Sequence, residues 1–392
     1  MNRWTRDVSR RLASYIRLQR AEWDIRRAAR QGLLEVSFAP SSLNLMMADT
    51  CNSQCVMCGK DYRACGSGRY LSLDDVRTIY GHLNMNRLVD VIYGGGGEPF
   101  LNPELGEIAA YTRRHYPYVH HLVISNGIGI RQEVAEMLLR YGTHFLVSVN
   151  AATAETFRDV AGVDAFDRVV EHIAAIVRVR DNFRSPARIS LSMILMQRNV
   201  RELVEFVRLA KRLGADNAKV MYARIYPEDY RKKSGNARMI QSEDSLYYHQ
   251  DLSDTLMREA AQIARSEGIP FDHPPLFGEA FQERGRDCRD PWRSLFINFN
   301  GDVYPCPASE ILFRPKVESG MYNSGNILQN HYSDFWNNRF WRELRRTCRE
   351  RDQVDVVQEC LCCGSAICWR GPGYKPTHVL DWSAAESSSL KL

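Results

Sequence analysis

From Leu43 to about Gly268 the chain alternates short apolar runs with longer amphipathic stretches. The short runs LNLMMA (43–48), LVDVIY (88–93), HLVISN (121–126), HFLVSVN (144–150), ISLSMILM (189–196) and NAKVMYA (217–223) are strand candidates. The stretches between them predict helices. One begins at Ser72, an N-cap with Asp75 three residues on, and runs through VRTIYGHL. Strands apolar on both faces and separated by helices imply a parallel sheet covered by helices. Six such units make either an open barrel or a doubly wound sheet. In a barrel of this kind the chemistry collects at the C-terminal strand ends. Cys51, Gly94–Glu98, Ser125–Asn126 and Ser148–Asn150 all fall at such ends.

Outside this region the pattern changes. Before it, Val8, Leu12, Tyr15 and Ile16 form an apolar stripe among arginines, which predicts one helix. Its face is either solvated and packed on the body or a surface for an anionic partner. Beyond about residue 270, SLFINFNGDVYPC predicts a hairpin around Asn300-Gly301, a strong turn signal. A helix over YSDFWNNRFWRELRRTC and the cysteine-dense ECLCCGSAIC follow, as a separate small unit. The expected division is 1–40, 41–272, 273–376 and a tail at 377–392.

Composition narrows the function. With 44% hydrophobic and 25% charged residues, the 392-residue chain can bury a large core. A net charge of +5 does not argue for nucleic-acid binding. No apolar run reaches membrane-spanning length, and MNRWTRDVSRRLASYIRLQR lacks the core of a secretory signal. The eleven cysteines are odd in number and gather at two sites. In a chain without a signal this favours a cytoplasmic location and thiolate metal sites over disulfides.

CNSQCVMC places Cys51, Cys55 and Cys58 on a loop leaving the first strand. Three thiolates can hold three irons of a cubane and leave the fourth iron open. Structural zinc, the competing reading, normally closes with four ligands. YGGGGEP (93–99) ends the second strand; its glycines let backbone approach a ligand, and Glu98 adds a carboxylate for an ammonium group. No Gly-Lys-Ser/Thr follows, so it is not a phosphate loop.

With these motifs the chain resembles the radical S-adenosylmethionine (SAM) superfamily over roughly residues 43–270. The resemblance implies a partial (β/α)6 TIM-like barrel with an N-terminal helix and a small C-terminal α+β domain. It implies a [4Fe–4S] cluster on Cys51, Cys55 and Cys58, with SAM on the open iron. Met57 would pack near the adenine, and Gly96, Gly97 and Glu98 would meet the methionine amino group. Ser125, Asn126, Ser148 and Asn150 would meet the ribose and carboxylate. The family's chemistry reduces SAM to methionine and a 5′-deoxyadenosyl radical, which takes a hydrogen atom from a C–H bond. An external electron donor such as flavodoxin or ferredoxin is expected, and no nucleic acid or membrane partner.

The second site pairs Cys288 and Cys306, which bracket the hairpin, with a CxxC pair at Cys360 and Cys363. On spacing alone a zinc ribbon and a cluster are equal readings. The stretch also resembles the SPASM or twitch extension of radical SAM enzymes, through GNIL (325–328), the WNNRFWRELR helix and the closing CxxC. That resemblance implies one auxiliary [4Fe–4S] cluster on Cys288, Cys306, Cys360 and Cys363. After Cys363 only Cys368 remains, which argues against a second auxiliary cluster. Cys362 could replace a neighbour as ligand. Cys348 reads as a packed helix residue. Cys65 is a candidate hydrogen donor, or an inert thiol beside the loop.

The expected activity is that of a radical SAM oxidoreductase or isomerase. Only about forty residues precede the first strand, shorter than a leader-binding domain. That tilts the expectation to a small-molecule substrate such as a sugar or aminocyclitol, oxidised or epimerised. A peptide maturase forming a cross-link or an epimer is the alternative. A zinc-stabilised, non-catalytic binding protein is the reading of another class.

Overall fold

The computed structural model describes residues 3–226, 231–232, 234–278 and 288–349. Helix α1 (Arg3–Gln31) precedes the first strand, β1 (Ser42–Leu45). Then come α2 (Leu73–Gly81), β2 (Asp90–Tyr93), α3 (Leu105–His115), β3 (His120–Ser125), α4 (Gln132–Arg140) and β4 (His144–Ser148). Two helices, α5 (Ala154–Ala161) and α6 (Phe166–Asn182), lead to β5 (Ile189–Leu195). After α7 (Leu203–Arg212), β6 (Asn217–Tyr222), α8 (Gln250–Glu267) and the short β7 (Phe271–Asp272), the chain enters its C-terminal part. The predicted start of α2 is present: Ser72 Oγ accepts from Asp75 N at 3.1 Å, and Asp75 Oδ2 accepts from Ser72 N at 2.9 Å.

Strands β1 to β7 lie side by side in chain order and all run parallel. Their C-terminal ends therefore share one edge, and the connecting loops there share one surface. The sheet stays unclosed, a partial TIM-like barrel. One face is fully buried, through Val91, Tyr93, Val123, Phe145, Val147, Leu191 and Val220. The other face carries half-buried residues such as Ile92, Leu122, Leu146 and Met221. The sequence predicts burial on both faces. An unclosed sheet leaves its concave face partly open, which is where a ligand has room.

The C-terminal part joins this sheet rather than standing apart from it. β8 (Ser294–Ile297) pairs parallel with β1 in register Ser42↔Ser294 to Leu45↔Ile297, and β9 (Val303–Tyr304) folds back antiparallel. β1 thus has a neighbour on each side, and all four of its residues are buried. The Asn300-Gly301 turn is present, with Gly301 at φ +83°. Helix α9 (Pro307–Glu318) follows, and α10 (Arg339–Arg349) packs against the short helical turn at Asp290–Arg293. Arg345, fully buried on α10, donates to the carbonyls of Leu34 at 2.7 Å, Trp336 at 2.8 Å and Pro291 at 3.0 Å. Burial pulls its pKa down to about 9. Asn337 pairs with both backbone groups of Val36, at 3.0 and 2.9 Å. The N-terminal linker is thereby tied to the C-terminal part. Among the described residues no helix is long and apolar enough to cross a membrane.

Candidate functional site

The loop after β1 carries Cys51, Cys55 and Cys58, and the glycine run after β2 packs directly beneath it. Gly97 sits at φ +57°, and a Cβ there would fall 2.1 Å from Ala48 O and 2.5 Å from Thr50 O. Only glycine fits a backbone this close. Glu98 N donates to Thr50 O at 2.8 Å, and Gly94 N to Leu45 O at 2.9 Å. A Cβ on Gly96 would meet the Met46 side chain at 2.8 Å.

The three thiols are half-buried and reduced. Ser53 Oγ lies between two of them, 3.2 Å from Cys51 Sγ and 3.5 Å from Cys55 Sγ. Asn126, at the end of β3, donates through Nδ2 to Asn52 Oδ1 at 2.6 Å and to Cys51 Sγ at 3.5 Å. Burial pushes the Cys55 thiol up to about 11 and Cys58 to about 12. Cys51 moves the same way, first through burial and then through the Glu98 charge. A metal or cluster binding here would displace those protons.

Glu98 is buried between the glycine loop and the end of β3. It is 1% exposed, and its oxygens already accept three donors: Ser125 Oγ at 2.8 Å, Asn126 N at 2.8 Å and Phe100 N at 3.1 Å. Burial raises its pKa to about 7 against those hydrogen bonds. Its carboxylate straps the glycine loop to the end of β3. Ser125 is thus engaged with Glu98, and Asn126 with both Glu98 and the cysteine loop.

Ser148, at the end of β4, accepts from Ser192 Oγ at 3.3 Å. Asn150 has φ +61°, and its Oδ1 accepts from Ile194 N at 2.8 Å. Both reach the same edge of the sheet as the cysteine loop. Met57 packs on an apolar cluster of Val56, Val160, Met196, Ile225 and Ile240. Cys65 ends a short helix, Tyr62–Cys65, beyond the loop. Lys60 pairs with the buried Asp49 at 3.1 Å, and Tyr62 is 5% exposed.

Several residues here escaped the sequence reading. Ser53 and Asn52 lie inside the cysteine motif but are not cysteines. Asn236 and Arg238 come from a segment after β6 that carries no motif, yet they contact the loop directly. Ser192, 2% exposed, belongs to an ordinary strand pattern. An open cleft of about 700 Å³ lies along that segment, lined by Arg231, Lys232, Asn236, Met239, Gln241 and Glu243 among others.

At the second site, Cys288 and Cys306 are reduced and half-buried at the two ends of the hairpin region. Cys360, Cys362, Cys363 and Cys368 lie outside the described residues. Cys348 is 3% exposed in the core, as a packed helix residue should be.

The donor set of the first loop suits an iron–sulfur cluster: three free thiols on one loop, two of them flanking Ser53 Oγ, and thiolate is the donor type such a cluster requires.

Residues 45–210 match the Radical SAM superfamily, and residues 288–364 match SPASM, an iron-sulfur cluster-binding domain. The PqqA peptide cyclase of Streptomyces rochei is 25% identical over 328 residues, covering 80% of this chain and 82% of its own. The AdoMet-dependent heme synthase of Methanosarcina barkeri is 24% identical over 328 residues, covering 80% and 87%. The mycofactocin maturase MftC of Mycobacterium tuberculosis is 26% identical over 315 residues, covering 78% and 73%. Among solved structures, Streptococcus suis SuiB bound to S-adenosylmethionine superposes with a TM-score of 0.62 at 17% identity. That match covers 88% of this chain and 75% of SuiB, and SuiB is also solved with its precursor peptide SuiA.

Proposed function

The chain belongs to the radical SAM superfamily and carries a C-terminal SPASM domain, and from that premise we propose that it modifies a peptide substrate at a carbon–hydrogen bond. The two domains imply a SAM-binding [4Fe–4S] cluster and auxiliary iron–sulfur chemistry. The observation that carries the peptide reading is that a peptide cyclase and a second relative, the MftC maturase, are each similar to most of the chain, over 80% and 78% of it. The fold shared with SuiB points the same way. This replaces the expectation of a sugar or aminocyclitol. The stretch of about forty residues ahead of β1 is a weak argument against a peptide, because a separate protein can present the leader.

In this reading Cys51, Cys55 and Cys58 hold the cluster, and Cys288, Cys306, Cys360 and Cys363 hold the auxiliary one. When bound, the cluster and SAM supply the one-electron chemistry that removes a hydrogen atom from an unactivated carbon. The chain's own residues position and shield. Gly96 and Gly97 let backbone approach the methionine end of SAM. Glu98 fixes that glycine loop against Ser125 and Asn126. Met57 and its apolar neighbours offer a dry wall for the adenine, and Ser148 and Asn150 offer polar groups at the next strand end. The half-buried face of the unclosed sheet is the side on which a substrate would lie. Cys65 remains the candidate for returning a hydrogen atom.

A non-peptide substrate is the second reading, favoured by the heme synthase at nearly the same identity. One experiment separates the two. Reconstituted protein, SAM and dithionite are incubated with a deuterated cell extract divided into small-molecule and peptide fractions. Deuterium entering 5′-deoxyadenosine from the peptide fraction is the expected result. Transfer from the small-molecule fraction alone would overturn the peptide reading.

A further inference from the structure

The cysteine loop is gripped from two sides. On one side its N–H groups are taken by the end of α5: Gln54 N donates to Ala161 O and Val56 N to Val160 O, both at 2.9 Å. On the other side its carbonyls are taken by residues 236–240. Asn236 Nδ2 donates to Cys55 O at 3.1 Å and to Cys58 O at 2.9 Å. Arg238 Nη1 donates to Gln54 O at 2.6 Å, and Ile240 N to Val56 O at 2.8 Å. Segments about 180 residues apart in sequence thus meet at the three-thiol loop.

The Asn236 amide is fixed in one orientation. Its Oδ1 accepts Arg238 N at 3.1 Å, and its own N donates to Ser234 Oγ at 3.2 Å. Both amide hydrogens face cysteine carbonyls, so a flipped amide would set oxygen against oxygen. The residue is 4% exposed, so water does not substitute for these bonds. A buried side chain whose two donors both end on the carbonyls of two thiol-bearing residues sets where those residues point.

We infer that Asn236 is a positioning residue for the three-thiol loop: it holds Cys55 and Cys58 by their carbonyls in the arrangement that receives the cluster. This rests on the reading that the three thiols hold a cluster. Asn236 also lines the open cleft, so the strap has the cysteine loop on one side and accessible space on the other. Arg238 adds a positive charge that favours the Cys55 thiolate.

The test compares wild type, Asn236→Ala and Asn236→Asp by hydrogen–deuterium exchange of the full chain, metal-free and reconstituted. The reporters are the N–H groups of Gln54 and Val56, which bond to the end of α5 and not to Asn236. Aspartate keeps the volume and the acceptor for Arg238 N but cannot donate to the carbonyls, and it serves if the alanine variant fails to fold. The expected result is reporter exchange faster by about tenfold in both variants, with β3 to β5 unchanged. The EPR signal of the reduced cluster should also lose its response to added SAM. Reporter exchange at the wild-type rate, or equal loosening of the whole sheet, would overturn the inference. If wild type binds no iron at these cysteines, the cluster reading fails, while the exchange result still decides whether Asn236 holds the loop.

Discussion

Cys51, Cys55 and Cys58 share one eight-residue loop, whereas Cys288 and Cys306 stand at the ends of a hairpin and Cys360 and Cys363 lie beyond the described residues. The first site is local in sequence and non-local in support: α5, the end of β3 and the 236–240 segment all grip it. The second site is dispersed in sequence, and its hairpin is a continuation of the main sheet through β8. The difference teaches that ligand residues close in sequence announce themselves, while the groups that aim them do not.

The largest expected effect breaks the first site alone. Cys55→Ala should reduce SAM cleavage to the level of a no-enzyme control while iron remains at the second site, checked by 5′-deoxyadenosine formation and iron per chain. Retained cleavage would remove Cys55 from the ligand set. Next comes the reverse experiment. Cys306→Ala should leave SAM cleavage running and stop formation of modified substrate, followed by mass spectrometry of the products. Normal product would make the second site dispensable.

A smaller effect concerns Glu98, whose buried carboxylate accepts from Ser125, Asn126 and Phe100 beside the first site. Burial raises its pKa from 4.5 to about 7 in the folded protein. The folded state therefore holds this proton more tightly than the unfolded chain. Its stabilising contribution is complete below about pH 4.5 and is lost as pH rises through 7. The stability of SAM-free wild type relative to Glu98→Gln should fall by up to about 3 kcal/mol across that window, read by denaturant titration at several pH values. A difference that does not change with pH would mean that the carboxylate is already charged at the low end. The smallest effect is expected from Ser53→Ala, which removes the hydroxyl between Cys51 and Cys55. It should cost about 1 kcal/mol of stability in the metal-free protein and leave the iron content unchanged.

The strand positions were legible because a parallel sheet imposes apolar runs of strand length between amphipathic helices. All six predicted strands of the core lie within two or three residues of their observed ends. The Ser72 cap and the Asn300-Gly301 turn were legible because each is a local device with its own residues. What escaped is what folding brings together from afar. Nothing local to Arg345 says that an arginine will be buried against Leu34 and Pro291. Nothing local to Ser294–Ile297 says that this strand will pair with β1 rather than seed a separate unit. The hydrogen bonds that Glu98 makes had no signal in the sequence. The sequence offers a carboxylate, and only the three donors around it make it a strap. Asn236 had no signal at all, since its partners are backbone carbonyls and any sequence has those.

The measurement that tests the account most directly is iron, sulfide and zinc per chain after anaerobic reconstitution of the full chain. Two cubanes, one at each cysteine site, predict about eight irons and about eight sulfides without zinc. About four irons with one zinc would contradict the account at its second site, making the hairpin and its cysteines a structural zinc unit with no part in the chemistry.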